Sequence, residues 1–183
     1  MSNQIFARLE CRALIQIIGE DARTFLQGLV SSDVEKISAE RAIYGAFLTP
    51  QGKYLHDFFA TDFEQSLYLD CEASRIDDFY KRLKIYKLRS KVTLEITNAF
   101  QVFVIFGDGV LQPLGLPELP GAAKSFQGGI VYTDPRLSLA GARCILPRNA
   151  GDTFTKFGFS EAVKNDYDHH RISLGLPDSS RDM

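Results

Sequence analysis

One aspartate interrupts an otherwise apolar stretch of the chain, and its position suggests chemistry more than that of any other residue. Asp57 lies in the predicted strand 54–60, where it shares a side with Leu55 and Phe59. If that side is interior, an unpaired carboxylate is costly there, so Asp57 needs a hydrogen-bond partner or a ligand. A structural hydrogen bond to backbone N–H groups is the simpler explanation, and the residues taken alone favour it.

Two further clusters have the residue types of binding sites. Asp166 and His170 are four residues apart on a predicted helix and are spaced to share a metal ion, but a third ligand at helical spacing is missing. A solvated helix face with ion pairs is the better explanation. The basic segment 87–91 follows a predicted helix, and it either binds the carboxylates of an anionic ligand or complements the helix dipole. Composition does not separate these two alternatives.

The elements that position Asp57 are predicted from hydrophobic periodicity and turn residues. Pro50 and Gly52 indicate a hairpin turn between two strands, the second of which carries Asp57. The order of elements in the first half is typical of α+β folds in which two helices cover one face of an antiparallel sheet. In chain order it reads strand 13–18, a helix from Ala22 that Asp21 is placed to cap, strands 42–49, 54–61 and 66–71, a helix with its inner face at Ile76, Phe79, Tyr80 and Leu83, and strand 92–96.

The second half begins again with a strand that is apolar on both faces. Its later part contains a Pro- and Gly-rich stretch, which predicts a surface loop or a short helix. In chain order we predict strand 100–106, the loop 112–129, strands 129–133 and 139–146, and a helix from about Ser160 to Leu174 that ends at Gly175.

Composition excludes several classes of protein. The chain has 183 residues, of which 45% are apolar and 24% charged, and its net charge is −2. These values argue against intrinsic disorder and against a dedicated nucleic-acid binder, and no apolar run is long enough to span a membrane. Three widely spaced cysteines, predicted to be small core residues, favour a reducing compartment and a cytoplasmic protein: Cys11, Cys71 and Cys144.

Four short blocks occur in order along nearly the whole chain. They are L-Q-G-L-V-S-S-D-V at 26–34, T-P-Q-G-K with a following D-F within 49–58, Y-K-L-R-S-K-V at 86–92 and R-I-S-L-G-L-P at 171–177. Each block is weak alone, but together they resemble the YgfZ branch of the YgfZ/GcvT superfamily. Its members are tetrahydrofolate-binding proteins related to the aminomethyltransferase of the glycine cleavage system. The YgfZ branch is associated with assembly or repair of iron–sulfur enzymes.

The resemblance implies a fold as well as a function. The family has two ferredoxin-like plaits with antiparallel sheets, one inserted in the other, followed by a small β-barrel. We therefore predict that residues 1–40 plus 98–183 form the first domain and that residues 41–97 form the inserted one. The barrel and the family's K-G-C-Y-x-G-Q-E motif are absent from this sequence, so we expect a fragment or a shortened protein, and a homodimer if the barrel is truly missing.

The resemblance also implies which residues meet the folate, with no catalytic and no metal-binding residue among them. Asp57 stands at the second position of the family's acidic pair and is the expected acceptor for the pterin donors. Tyr167 matches an aromatic position that walls the ring, whereas Arg12 replaces an aromatic residue and is expected to stack on the ring through its guanidinium. Arg89 and Arg171 are predicted either to hold the carboxylate tail or to brace the domains, and bracing is the stronger prediction.

Two departures from the family argue against true aminomethyl transfer. His56 stands where the aminomethyltransferases have the first acid of the pair, and Ser173 stands where they have a glutamate. The function predicted first is therefore a tetrahydrofolate-binding accessory protein that serves iron–sulfur client proteins, without nucleic-acid or membrane partners. A one-carbon transfer enzyme and a ligand-sensing or interaction module remain as alternatives.

Overall fold

The protein divides into two compact units, one of which is inserted in the other. The structure is a computed structural model that describes residues 4–150 and 152–182. Unit 2 is the continuous segment Glu10–Asn98, and unit 1 contains the chain up to Leu9 and from Ala99 onward. Each unit contains one sheet and short helices, so the α+β class is confirmed.

Eleven strands and five α-helices occur in the described residues. Unit 2 contains β2 (Arg12–Ile18), α1 (Ala22–Gln27), β3 (Ile43–Leu48), β4 (Tyr54–Phe63), β5 (Ser66–Glu72), α2 (Ile76–Lys87) and β6 (Thr93–Thr97). Unit 1 contains β1 (Ile5–Arg8), β7 (Phe100–Phe106), α3 (Leu111–Leu114), β8 (Ala123–Phe126), β9 (Gly129–Thr133), β10 (Ala142–Pro147), α4 (Thr153–Lys156), β11 (Ser160–Glu161) and α5 (Asp166–Ser173).

The predicted domain boundary at residue 40 is wrong. The sequence places residues 1–40 in the first domain, but residues 10–40 lie in unit 2. The cause is β2, which forms antiparallel ladders with β5 on one side and β6 on the other. Both partners lie far downstream in the chain, so local periodicity gave no sign of this pairing.

The sheet of unit 2 is antiparallel throughout and has the order β3-β4-β5-β2-β6. Its core lies between one sheet face and the two helices. Phe79 and Leu83 of α2 are fully buried there, and Ile76 and Tyr80 pack against the same cluster, which confirms the predicted inner face of this helix. The acids in the first turn of α2 and the lysines in its last turn complement the helix dipole.

The start of α1 differs from the prediction in one contact. Asp21 precedes the helix as expected, but its side chain makes no cap hydrogen bond to α1. Its carboxylate instead accepts a hydrogen bond from the backbone N–H of Lys91 at 2.7 Å. Asp21 therefore ties the beginning of α1 to the chain that leads into β6.

The sheet of unit 1 is mixed, which the prediction of purely antiparallel sheets did not include. Its order is β11-β1-β7-β10-β9-β8, and only the pair β11–β1 is parallel. The predicted long helix from Ser160 is replaced by β11 and the shorter α5, because the backbone around Ser160 hydrogen-bonds to β1 and its flanking residue. A ferredoxin-like plait in each unit stays a prediction.

The cysteines are free thiols in different surroundings. Cys71 and Cys144 are buried, which confirms the prediction of core residues, whereas Cys11 is exposed and the prediction is wrong for it. Burial raises the pKa of the Cys71 thiol to about 12, and it raises the pKa of Cys144 as well, so both remain protonated at neutral pH. No helix in the described part of the chain has both the length and the apolarity required to cross a membrane.

Candidate functional site

Asp57 is buried on the face of the unit 2 sheet that is opposite to α1 and α2. The carboxylate-bearing residue is only 4% exposed. The register between β3 and β4 shifts after Phe47, so Leu55 packs against the apolar core on the helix side while Asp57 points to the other face. The predicted shared side of Asp57 and Leu55 is therefore wrong, because this irregularity breaks the simple alternation of the strand.

Two tyrosine hydroxyls hold the Asp57 carboxylate. Tyr44 of β3 donates to Oδ2 at 2.9 Å, and Tyr54 at the start of β4 donates to Oδ1 at 3.0 Å. The simpler explanation from sequence, hydrogen bonds from backbone N–H groups, therefore does not describe these two contacts. Each carboxylate oxygen is oriented by one phenol.

The environment of Tyr54 keeps its phenol protonated. Burial raises the pKa of Tyr54 to about 12, and the negative charge and hydrogen bond of Asp57 act in the same direction. A phenol with this pKa remains a hydrogen-bond donor throughout the physiological range. The pair is therefore a fixed donor–acceptor contact at neutral pH.

Substitution of Asp57 by asparagine is expected to lower the pKa of Tyr54 from about 12. The carboxylate charge disfavours the tyrosinate, and the amide has no such charge, whereas burial of the phenol remains. The measurement is a spectrophotometric tyrosinate titration, with Tyr54→Phe to assign the transition and circular dichroism to define where the chain is folded. Asp62→Asn, on the same strand, is the control. An unchanged Tyr54 transition in folded Asp57→Asn would contradict the assigned contact.

A second carboxylate on the same sheet face forms a buried ion pair. Arg12 donates through Nε to Oδ1 of Asp70 at 2.7 Å, and both side chains are almost fully buried. The guanidinium also lies 5.6 Å from the ring centroid of Phe59, which in turn contacts the ring of Tyr44 at 5.0 Å. The predicted site residues Asp57 and Arg12 are thus linked through two aromatic rings.

His56 points to the helix side of the sheet, away from Asp57. Its Nε2 lies 2.8 Å from Oδ2 of Asp78, and its ring stacks on Phe79 with centroids 4.8 Å apart. Burial lowers the pKa of His56, although the Asp78 hydrogen bond opposes the shift. The hydrogen bond from Arg82 lowers the pKa of Asp78, so a neutral imidazole that donates to a carboxylate is the arrangement at neutral pH.

Acidification below about pH 6.5 is expected to lower the stability of the chain through His56. Because its pKa is lower in the folded state than in the unfolded state, the unfolded chain binds more protons in this range. The free energy of unfolding therefore falls as the pH drops through the unfolded pKa. Urea unfolding at pH 7.5 and at lower pH measures the slope, which His56→Gln should flatten. The same substitution at the exposed His169 is the control, and an equal slope in both variants would contradict the prediction.

The two predicted residues of α5 belong to unit 1. The ring of Tyr167 lies 5.6 Å from that of Phe106, and its hydroxyl accepts a hydrogen bond from the buried Arg143 at 3.3 Å. Arg171 donates to Asp168 at 2.7 Å and to the backbone of Leu176 at 3.2 Å. It also contacts Asp182, so its contacts are those of a brace for the segment after α5.

The remaining predicted site residue, Arg89, is exposed and lies beside α1 in unit 2. It lines a groove together with Phe25 and Leu88 and is not among the contacts of Asp57. The structure thus brings together only Asp57 and Arg12 of the predicted folate residues within one face of unit 2. Tyr167 and Arg171 share α5 in unit 1 but point to different partners.

Sequence analysis missed three residues that build the site: Tyr44, Tyr54 and Asp70. The hairpin register offered a signal for the first, because Tyr44 stands opposite Phe59 and therefore on the face of Asp57. Asp70 alternates with Leu67 and Leu69 of its strand, a pattern that by itself is typical of a position facing water. Its burial depends on the side of the sheet and not on the strand pattern.

The Asp166 and His170 pair has other contacts than a shared ion. Asp166 accepts a hydrogen bond from the backbone N–H of Val163 at 2.9 Å, and the His170 ring lies 5.1 Å from that of Phe106. Among residues 4–150 and 152–182, no three His, Cys, Asp or Glu side chains are grouped to hold a metal ion.

Known proteins resemble the chain in sequence and in fold, although no protein-family model matches it. It is 29% identical over 193 residues to the mitochondrial iron–sulfur cluster assembly factor IBA57 of Homo sapiens, covering 96% of this chain and 52% of that protein. The mitochondrial IBA57 homolog of Neurospora crassa is 24% identical, covering 96% and 42%. The aminomethyltransferase T of the glycine cleavage system from Bartonella henselae superposes with a TM-score of 0.76 and 17% identity, covering 96% of this chain and 52% of that one.

The similarities in sequence are to iron–sulfur cluster assembly factors, and the similarity in structure is to an aminomethyltransferase. The likeness to the aminomethyltransferase shows the fold of the chain. The chain spans about half the length of the curated relatives it matches. Those relatives are mitochondrial by name, and a cytoplasmic location for this chain stays a prediction.

Proposed function

We propose that this chain is a folate-binding accessory protein for the assembly or repair of iron–sulfur enzymes, of the YgfZ branch. The observation that carries the maturation role is the similarity to assembly factors along 96% of the chain. Folate binding is supported by a separate observation, the oriented and buried Asp57 carboxylate on the unit 2 sheet.

The residues around Asp57 fit the pterin end of a reduced folate. A pterin presents amide-like N–H donors and a flat ring, so its pocket needs an oriented acceptor and an aromatic or apolar wall. Asp57 is the acceptor, and Tyr44, whose ring contacts that of Phe59, is an aromatic side chain beside it. In this proposal Tyr54 and Tyr44 hold the carboxylate in position while it binds the ligand.

The predicted cations for the glutamate tail of the folate have other contacts in the structure. Arg12 and Arg171 are engaged with carboxylates of the chain itself, and Arg89 lies away from the Asp57 contacts. A ring contact by Tyr167 stays a prediction from the resemblance. We therefore assign the pterin end to Asp57 and leave Arg12 the role of an aromatic-stacked brace beside it.

Aminomethyl transfer is the second candidate, favoured by the shared fold with the aminomethyltransferase. His56 argues against it, because this residue faces the helices and pairs with Asp78 on the side opposite to Asp57. An assay for one-carbon transfer to or from tetrahydrofolate distinguishes the two. If the chain catalyses this transfer at a rate that depends on Asp57, the proposed accessory role is wrong and the protein is a one-carbon transfer enzyme.

Asp57→Asn is expected to weaken tetrahydrofolate binding by about 1–3 kcal/mol, since the amide replaces an ionised acceptor of buried donors. Anaerobic titration calorimetry with tetrahydrofolate measures the loss. Asp77→Asn, which changes an exposed acid at the start of α2, is the matched control and should bind normally. Absence of binding by the parent chain, or equal affinity in folded Asp57→Asn, would overturn the folate assignment.

The maturation role needs its own test. In cells that lack the corresponding assembly factor, expression of this chain should restore the activity of iron–sulfur enzymes, and Asp57→Asn should restore less. If the chain binds folate but does not restore those activities, the maturation role is refuted. The protein would then be a ligand-binding module.

A further inference from the structure

The C-terminal end of α2 and the chain after it carry a concentration of positive charge. Six of the 21 Lys and Arg residues lie within residues 81–91, and no Asp or Glu occurs from 79 to 94. In the part of the chain that the structure describes, four of these cations form no ion pair with a carboxylate: Lys81, Lys84, Lys87 and Arg89. The chain as a whole is slightly acidic, so this charge is local.

Three large apolar side chains are exposed among these cations. They are Ile85, Tyr86 and Leu88, and Leu88 is 86% exposed, more than any other large apolar residue in the described ranges. Exposed apolar groups that lie together on a charged surface are a feature of interaction sites.

Leu88 is also held in a backbone conformation that favours glycine. The Ser90 N–H donates to the Lys87 carbonyl at 2.8 Å and closes a tight turn in which Leu88 is the first central residue. Its φ is 42° and its ψ is −111°, close to the values that make glycine the preferred residue at this turn position. Leucine at this position costs backbone energy and buries little surface in the fold, so packing within the chain does not explain it. We therefore take the side chain as part of a binding surface.

A groove lies beside this turn. It has a volume of about 790 Å³ and runs between Thr24 and Phe25 of α1 and the side chains of Tyr86, Leu88 and Arg89. Its lining is mainly apolar and contains one cation, Arg89, and Lys84 and Lys87 are close by in the sequence, so it suits a large apolar side chain flanked by negative charges.

We propose that this surface, defined by Lys84–Lys87, Leu88, Arg89 and the groove against α1, binds an acidic peptide segment of a partner protein that inserts a large apolar side chain. The acidic residues of the segment pair with Lys87 and Arg89. The apolar side chain packs between Phe25 and Leu88. The surface is on exposed elements of unit 2 and does not include Asp57, so it is separate from the pterin contact of the proposed function.

The concave shape of the groove and the acidic residues beside it favour a peptide over an anionic membrane. The groove is concave, whereas a bilayer surface is flat and needs a continuous basic face. Asp21 lines the groove, and the exposed Glu20 precedes it. These carboxylates would repel anionic headgroups, while a peptide can place its charges selectively on the basic wall.

The test begins with random peptides displayed on phage and selected on the full chain, with counter-selection on the Lys87→Glu Arg89→Glu variant. Enriched peptides should carry several Asp or Glu residues around a large apolar one. A labelled peptide from this set, measured by fluorescence anisotropy, should bind about tenfold or more weakly to the charge-reversed variant and more weakly in high salt.

Matched variants separate this surface from general effects of charge and exposure. Lys164→Glu and Leu139→Ser change exposed residues of unit 1 and should leave the affinity unchanged. Leu88→Gly should weaken peptide binding, whereas the urea midpoint of the chain should stay equal or rise, because glycine relieves the backbone strain of the turn. Tetrahydrofolate titration of Lys87→Glu alone, which leaves Arg89 in place, should equal that of the parent, so failure here is distinguishable from failure of the proposed function.

Several outcomes would overturn the peptide site. One is enrichment of peptides without acidic residues, or affinity that does not change on charge reversal. Another is that no peptide is enriched while vesicles of phosphatidylcholine and phosphatidylserine bind through Lys87 and Arg89, which would assign the surface to a membrane. A concentration-dependent dimer in sedimentation that the same substitutions dissociate would assign it to a second copy.

Discussion

Asp70→Leu is expected to destabilise the chain by about 3–5 kcal/mol, one of the two largest effects of any single substitution considered for this protein. Both side chains of the Arg12–Asp70 pair are nearly inaccessible to water. Removal of the carboxylate leaves the guanidinium buried without this partner, and burial of a charge that has lost its counter-ion is the main part of the cost. Urea unfolding followed by circular dichroism measures the loss.

A half-exposed pair in the same sheet provides the control. Asp62 of β4 pairs with Arg23, and about a quarter of the Asp62 side chain and a third of the Arg23 side chain are exposed. Ion pairs of this kind contribute about 0–1 kcal/mol, so Asp62→Leu should cost much less than Asp70→Leu. Equal losses at the two positions would mean that burial does not control the cost.

The double variant Arg12→Met Asp70→Leu tests the same argument from the other side. It removes both charges, so the guanidinium no longer lies there without the Asp70 carboxylate, and two apolar residues occupy the space. The double variant should therefore be more stable than Asp70→Leu alone. If it is less stable by the sum of the two single losses, the carboxylate contributes through contacts other than Arg12.

Local patterns in the sequence predicted the elements of unit 2 well. The Pro50–Gly52 turn and the periodicity of α2 each depend on residues close in sequence, and both occur in the structure. Long-range pairing was not predictable in this way. The attachment of β2 to β5 and β6 moved a domain boundary, and the parallel contact of β11 with β1 replaced the start of a predicted helix.

For the candidate site, the sequence predicted only the features that a single strand contains. Asp57 in an apolar strand indicated a buried and satisfied carboxylate, and the structure gives it that environment. One partner, Tyr44, comes from the neighbouring strand, and the other, Tyr54, precedes an irregularity in the ladder that the alternation of residues 54–60 does not reveal. Arg12 was expected to stack on a ligand, but it pairs with Asp70 on β5, fifty-eight residues away, and this separation in sequence gave no local sign of the pair.

The second large effect is expected for Phe79→Ala, which should lower the free energy of unfolding by about 3–5 kcal/mol. Phe79 is fully buried in the core of unit 2 and contacts the rings of Phe47 at 5.4 Å and Phe58 at 5.9 Å. Alanine removes the apolar contacts of the ring and leaves a cavity that the surrounding β-sheet and α2 fill only in part.

The same substitution should also change the titration of His56, whose ring stacks on Phe79. Burial is the main cause of its lowered pKa, so loss of the covering ring should raise that pKa towards its ordinary value. Titration of the His56 ring by NMR measures the shift. Phe79→Leu, which keeps most of the cover, should lose less stability and shift the pKa less. A large loss of stability with no change in the His56 titration would separate the packing of Phe79 from the burial of His56, and it would refute the stacking as the cause of the neutral imidazole.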